Sequence, residues 1–394
     1  VKSSDSNSAA YLDNAATTPI LPEALEVLYR ESTSVGNASS LHSAGRRARK
    51  VVEESREKLA ASLGAKPQEV IFTASGTEAN NLAVKGLYWS ARAKSESKSA
   101  ICASPIEHHA VLDPLEWLER DDGATLHFAK VDSDGATSHE HVAQILSEHG
   151  KQISFLTIMH SNNEVGALQP VAECAAISRE YQIPIHTDAV QSFGKVPLDF
   201  GKLGVDAMTI SAHKIGGPLG VAALVVKKNL ELTPLLHGGG QEREVRSGTL
   251  HTPVIAAFAT AAEISQQRLL ENQLRIRALR ERLISGVKNG VPDVKLNGGE
   301  KTLPGIAHFT FPGAEGDALL LLLDAHGVQC STGSACSAGI AQPSHVLLAM
   351  GMAPKVARSS IRFSIGPTTT ESEIDRAISV IGEVVSRARA AGVK

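Results

Sequence analysis

The chain has 394 residues, too many for one small core, so two or three structural units are expected. With 42% apolar residues, 21% charged residues and a formal net charge of -3, it has a soluble globular composition, and nucleic acid or an anionic membrane is not an expected partner. No apolar run approaches the ~18 residues of a membrane span, and the polar opening VKSSDSNSAA has no signal-peptide core, so the expected location is the cytoplasm.

From about residue 68 to 228, short β-rich runs alternate with helical patterns. Strands are expected at 70–73, 100–103, 125–129, 153–159, 184–188, 207–210 and 221–226, with amphipathic helices at 78–93, 111–119 and 171–182. Such alternation implies right-handed crossovers and a mostly parallel seven-stranded sheet covered by helices on both faces. Ligands of these α/β sheets sit at the carboxyl ends of the strands, so the residues just after each strand matter most. From 253 to 284 the pattern is helical for many turns and reads as one connecting helix. A smaller α+β unit is expected beyond it, with a strand at 307–311, a helix at 317–323 and a terminal helix at 371–390.

The run VDAMTISAHKIGGPLGVAALVV, 205–226, places Lys214 in a turn between two buried strands. A lysine there is costly to desolvate as an ammonium, so it becomes an amine nucleophile suited to a Schiff base with an aldehyde cofactor. Ser211 and His213 beside it could donate to a phosphate. In IPIHTDAVQSFGK, 183–195, Asp188 closes an apolar strand and Gln191 follows. A carboxylate beside the pyridine nitrogen of pyridoxal phosphate would keep that nitrogen protonated, and Gln191 would hydrogen-bond the phenolic oxygen. Read alone, Asp188 serves equally well as a helix N-cap. In FTASGTEANNLAV, 72–84, Gly76 and Thr77 stand at a helix start, which makes either an anion site or an ordinary capped helix.

His108 or His109 in PIEHHAVL, 105–112, could stack on an aromatic cofactor, shuttle protons, or be structural. Asn163 in SNNEVGALQP and Asn37 in SVGNASSLH are amides in Gly-bearing loops. The four cysteines, Cys102, Cys174, Cys330 and Cys336, form no CxxC pair and no zinc-like spacing, so neither a disulfide framework nor a metal site is expected. Cys336 sits among Gly, Ser and Ala in QCSTGSACSAGIAQPSH, 329–345, the composition of an accessible loop whose thiol could be a nucleophile. Cys330 is expected to be buried. In RSSIRFSIG, Arg362 lies in a strand-like stretch from which it could clamp a substrate carboxylate, with Arg358 as a solvent-facing rival.

The ordered set SGTEANN, EHHAVL, NNEVG, HTDAVQS, SAHK, GGGQE, RSGT and GSAC runs between YLDNAATTP at 11–19 and IRFSIGPTTTESEID at 361–375. It resembles, nearly end to end, the cysteine desulfurases of the NifS/IscS type, class-V aminotransferases within fold type I of the pyridoxal-phosphate enzymes. The resemblance implies a large cofactor-binding domain, 18–258, and a small domain made of 1–17 and 259–394 that carries the cysteine loop. Lys214 would hold pyridoxal phosphate, Asp188 would pair with its ring nitrogen, Gln191 with its phenolic oxygen, and His108 would stack on the ring and move protons. Gly76, Thr77, Ser211 and His213 would bind the phosphate, joined by Thr249 from the partner subunit, so that a homodimer is part of the site.

Asn163, Asn37 and Arg362 would hold the substrate carboxylate and nearby groups. L-cysteine would give L-alanine, with the sulfur kept as a persulfide on Cys336 for an iron–sulfur scaffold or another sulfur carrier. One rival is another lyase or aminotransferase of this fold, selenocysteine lyase included, with Cys336 incidental. The other is a non-catalytic scaffold that partners sulfur carriers. GSAC argues against the first, and intact Lys214, His108 and Cys336 against the second.

Overall fold

The computed structural model describes residues 9–333 and 343–391. All seven expected strands form: β1 (Val70–Thr73), β2 (Ala100–Ala103), β3 (Thr125–Phe128), β4 (Ile153–Thr157), β5 (Ile185–Asp188), β6 (Ala207–Ser211) and β7 (Ala222–Val226). They join one sheet in the order β1-β7-β6-β5-β4-β2-β3. β7 is antiparallel to both neighbours, and every other pair is parallel. All but the edge strand β3 are buried along their whole length, which is why they are rich in apolar and β-branched residues instead of alternating with charged ones. The β5–β6 register sets Asp188 opposite Thr209, so the carboxyl ends of these two strands open side by side.

The helices that follow the strands begin on specific caps. Ser75 accepts from the amide of Glu78 at 3.1 Å to start Gly76–Lys94, and His108 accepts from Ala110 at 3.0 Å to start His109–Asp122. Gly123 ends the latter in the left-handed region, at φ 68°, where a side chain would be strained.

The expected single helix over 253–284 is in fact two, Thr252–Gln267 and Leu269–Gly290, which meet at Arg268 with φ -96° and ψ 6°. The first half buries Ile255, Phe258 and Ala262 against helices Pro22–Ser32 and Ser43–Ala61. The second buries only a stripe, Ile276, Leu279, Leu283, Ile284 and Val287, on the side of the terminal helix Glu371–Ala391. The two halves serve different cores, so the axis turns between them.

Beyond Arg268 lies a three-stranded antiparallel sheet with Ile306–Thr310 between Lys295–Asn297 and Ser360–Ser364. Ala10–Tyr11 pairs with Val328–Gln329, which draws the N-terminal segment into this unit. One apolar core runs from Leu21 to Ala262 around the large sheet, and a second joins Ala10 and Leu12 to residues between Ile276 and Ala388. Among the described residues, no helix is long and apolar enough to cross a membrane.

Candidate active site

A cavity of about 410 Å³ opens at the carboxyl ends of β1, β2, β4, β5 and β6. Ten expected residues line it: Gly76, Thr77, His108, Asn163, Asp188, Gln191, Ser211, His213, Lys214 and Arg362. Two others stand elsewhere in this chain. Thr249 is exposed and borders a separate groove with Ser34 and Gly36. Asn37 is exposed on a loop, where its Oδ1 accepts from the amide of Ser39 at 2.9 Å and closes a local turn. Cys336 lies outside the described residues, while Gly333 before it and His345 after it both line the cavity. His109 lines it as well, paired to Asp113 at 2.9 Å; Arg358 is exposed. Cys330 is half-buried, and its enclosure raises the thiol's pKa.

One end of the cavity suits an anion. The amides of Gly76 and Thr77 have no protein acceptor among the described residues, and the helix dipole adds to their pull. A Cβ on Gly76 would come within 3.3 Å of Val190 Cγ2 and 3.7 Å of Ser211 Cβ, so glycine keeps this cradle open. Ser211 ends β6 facing the same space. His213 touches Thr17 Oγ1 through Nδ1 at 3.3 Å. Burial, then the charges of Lys214 and Lys195, lower its pKa to about 4, so the ring is uncharged at neutral pH.

Asp188 splits its carboxylate. Oδ1 accepts from the amide of Val190 at 2.9 Å, closing a turn, while Oδ2 accepts from Asn80 Nδ2 at 2.6 Å. Nδ1 of His108 is occupied as an acceptor, so the neutral ring carries its proton on Nε2. That ring opens to the cavity but is walled by protein elsewhere, and this enclosure, with help from Lys214 and against Asp188, lowers its pKa. Gln191 donates from Nε2 to the carbonyl of Ala15 at 2.8 Å and accepts at Oε1 from Lys195 Nζ at 3.0 Å.

Lys214 Nζ donates to the carbonyls of Ala15 and Ala16 at 2.6 and 2.7 Å. Burial first and Arg362 second lower its pKa to about 8, against the opposite pull of Asp13 and Asp188. Arg362 stands across the cavity because its strand alternates: Ile361 and Phe363 enter the second core, and Arg362 faces the other way. Its Nη2 donates to Asp13 Oδ1 and its Nη1 to the carbonyl of Asn163, both at 2.8 Å. Nε is buried without a protein partner among the described residues.

Sequence reasoning missed Asp13, Asn80 and Lys195, although each lies inside a quoted motif. Their partners are fixed by the fold rather than by local spacing. The assembled site can take an anion at the Gly76 helix, hold a positive ring nitrogen at Asp188 and offer an uncharged amine at Lys214.

The sequence model of the family described as aminotransferase class-V matches residues 10–377. The chain belongs to the class-V aminotransferase family. It is 49% identical over 386 residues to the IscS-like cysteine desulfurase of Mycobacterium tuberculosis, covering 98% of each chain. It is 40% identical over 381 residues to the cysteine desulfurase IscS of Dictyoglomus turgidum, covering 96% of this chain and 95% of the relative. Among solved structures, a NifS-like protein matches with a TM-score of 0.88 and 35% identity, over 96% of this chain and 100% of the other. The structure of SspA in complex with cysteine matches with a TM-score of 0.79 and 33% identity, over 92% and 100%. As a member of this family, the chain has the fold type I architecture and depends on pyridoxal phosphate.

Proposed function

We propose that the chain is a cysteine desulfurase, which takes sulfur from L-cysteine, releases L-alanine and keeps the sulfur as a persulfide on Cys336. The observation that carries this reading is the meeting of the Lys214 amine, the Asp188 carboxylate and the Gly76 helix start in one cavity, in a chain whose relatives named above are cysteine desulfurases.

The donor set fits pyridoxal phosphate. Gly76, Thr77, Ser211 and His213 would hold its phosphate, Asp188 its ring nitrogen, Gln191 its phenolic oxygen, His108 its ring face and Lys214 its aldehyde carbon, with Asn163 beside it. When bound, the cofactor supplies an electron sink for the charge that develops on the substrate carbon. Lys214, once released from the Ala15 and Ala16 carbonyls, is an amine able to take the proton from the substrate Cα. His108 can exchange a proton at Nε2. Arg362 would bind the substrate carboxylate with the Nη hydrogens that Asp13 and Asn163 leave free. The Cys336 thiolate attacks the substrate sulfur: a sulfur–sulfur bond forms, the Cβ–S bond breaks, and its electron pair stays with the carbon, which gains a proton as alanine.

Thr249 would complete the cavity of a second copy of the chain in a homodimer, and its exposed position beside a groove away from its own cavity leaves it available for that role. The sulfur acceptor would be a cytoplasmic iron–sulfur scaffold or another sulfur carrier. Division into 18–258 and 1–17 with 259–394 is supported by the two separate apolar cores, with the Thr252–Gln267 helix straddling the boundary. The test is alanine and sulfide release from L-cysteine with a thiol reductant, in the unaltered protein and in Cys336→Ala. Both products are expected, and the substitution should abolish them while the cofactor colour remains. Alanine release that survives Cys336→Ala would favour a lyase in which the thiol is incidental.

A further inference from the structure

Lys195 is a second lysine at this site, and the chemistry above makes no use of it. Its stem borders another cavity, of about 220 Å³, between the two units, beside Ile276, Leu303, Ile306 and Ile365. The charged groups that act on it are cations too: Lys214 from the turn after β6 and Arg362 from the facing strand. With burial, they lower its pKa to about 7. If the position needed only filling, methionine or leucine would avoid that desolvation. What the amine obtains in return, among the described residues, is one hydrogen bond, to Gln191 Oε1 at 3.0 Å.

The two ends of a glutamine amide have the same shape and opposite hydrogen-bonding sense. In the observed orientation Oε1 meets Lys195 and Nε2 meets the Ala15 carbonyl at 2.8 Å. Turned over, the amide would set N–H against the ammonium that Lys195 carries below about pH 7, and oxygen against a carbonyl that also receives Lys214 at 2.6 Å. We infer that Lys195 is a positioning residue that locks the Gln191 amide with its N–H end toward the cavity, so that Gln191 can act on the bound cofactor only as a donor to its phenolic oxygen. This rests on the placement of Gln191 proposed above.

The test is a spectrophotometric pH titration of the cofactor band in the holoenzyme, with Lys195→Met made in the unaltered and in the Gln191→Ala background. Losing a neighbouring cation, and loosening a donor that then has only the Ala15 carbonyl to orient it, favours the protonated form, so Lys195→Met should raise the midpoint by on the order of one pH unit. In the Gln191→Ala background the same replacement should move it less than half as far, because the lock has nothing left to hold. Equal shifts in the two backgrounds, or no shift in either, would overturn the inference. A Gln191→Ala protein whose own midpoint is unmoved would instead overturn the placement of Gln191 against the ring, and the lock with it. Lys195→Arg keeps a cationic donor and should hold the original midpoint. A displacement there of about one unit would sink the lock even were Lys195→Met not to fold.

Discussion

Lys214 is held at about 8 where an ordinary lysine stands at 10.5, chiefly by burial and next by Arg362. The gap between 10.5 and about 8 multiplies the free-amine fraction at neutral pH by about 300. Cofactor-free protein mixed with excess pyridoxal phosphate should therefore combine at a rate that climbs about tenfold per pH unit below about 8 and flattens above it. Rapid-mixing absorbance measures this directly. Replacing Arg362 with Met removes the second cause and leaves Asp13 without its partner, and both changes raise the lysine's pKa. A higher pKa means less free amine, so at pH 7 Arg362→Met should combine more slowly, by on the order of tenfold. A midpoint near 10.5 in the unaltered protein, or faster combination in Arg362→Met, would refute the reasoning.

Acid should weaken the fold through two buried imidazoles. His186 lies between Thr157 and Thr209 hydroxyls at 3.0 Å each, His308 bonds Asn297 at 2.9 Å, and burial lowers both pKa values to about 3. Below 6.5 the unfolded chain binds protons that the folded chain refuses, so stability present above that pH is lost on descent, by about 2 kcal/mol per histidine between pH 7 and 5. Urea titrations at the two pH values should show it, and a His308→Asn protein with an undiminished loss would contradict the assignment. A third prediction concerns Glu242 of the GGGQE run, which takes a bidentate bond from Arg56 at 2.6 and 2.7 Å and the amide of Phe72 at 2.8 Å, all buried. Glu242→Ala leaves Arg56 with the Val70 carbonyl and the half-exposed Glu53, and should cost about 3 kcal/mol in urea unfolding, much of it recovered by removing Arg56 as well. A loss below about 1 kcal/mol would show the pair to be no stronger than a surface bridge.

Burial on both faces makes the large-sheet strands rich in apolar and β-branched residues, and the charged residues at their carboxyl ends, Asp188 and Lys214, stand out against them. The run at 153–159 outlasts the strand Ile153–Thr157, and the chain beyond it still bonds to the β5 backbone, Ile158 to His186 at 3.1 Å and His160 to Asp188 at 2.8 Å. The turn at Arg268 has no signature, since QQRLLEN holds neither Gly nor Pro; it comes from two cores facing different ways. Periodicity speaks of one element at a time. It is silent on Asn80 meeting Asp188 across 108 positions and on Asp13 meeting Arg362 across 349. The roles that the resemblance gives Thr249 and Asn37 are not visible in one chain, because neither residue lines that chain's own cavity.

The segment at 10–18 is bound at both ends of the molecule's history. Ala15 donates to Ser364 Oγ at 2.8 Å across 349 positions, Thr18 donates to the carbonyl of His213 at 2.9 Å, and the Ala15 and Ala16 carbonyls hold Lys214. On a ribosome this strap is made early and has nothing to grip. At ~5–20 residues per second, Ser364 follows Ala15 by roughly 17–70 s, and long-range pairing of this kind forms late. The large sheet can assemble meanwhile around its own core, with Lys214 and Asp188 already at their strand ends. Closing the floor of the pocket is then among the last events of synthesis, and a chain cut short before Ser364 would carry the reactive lysine without the anchor that seals it.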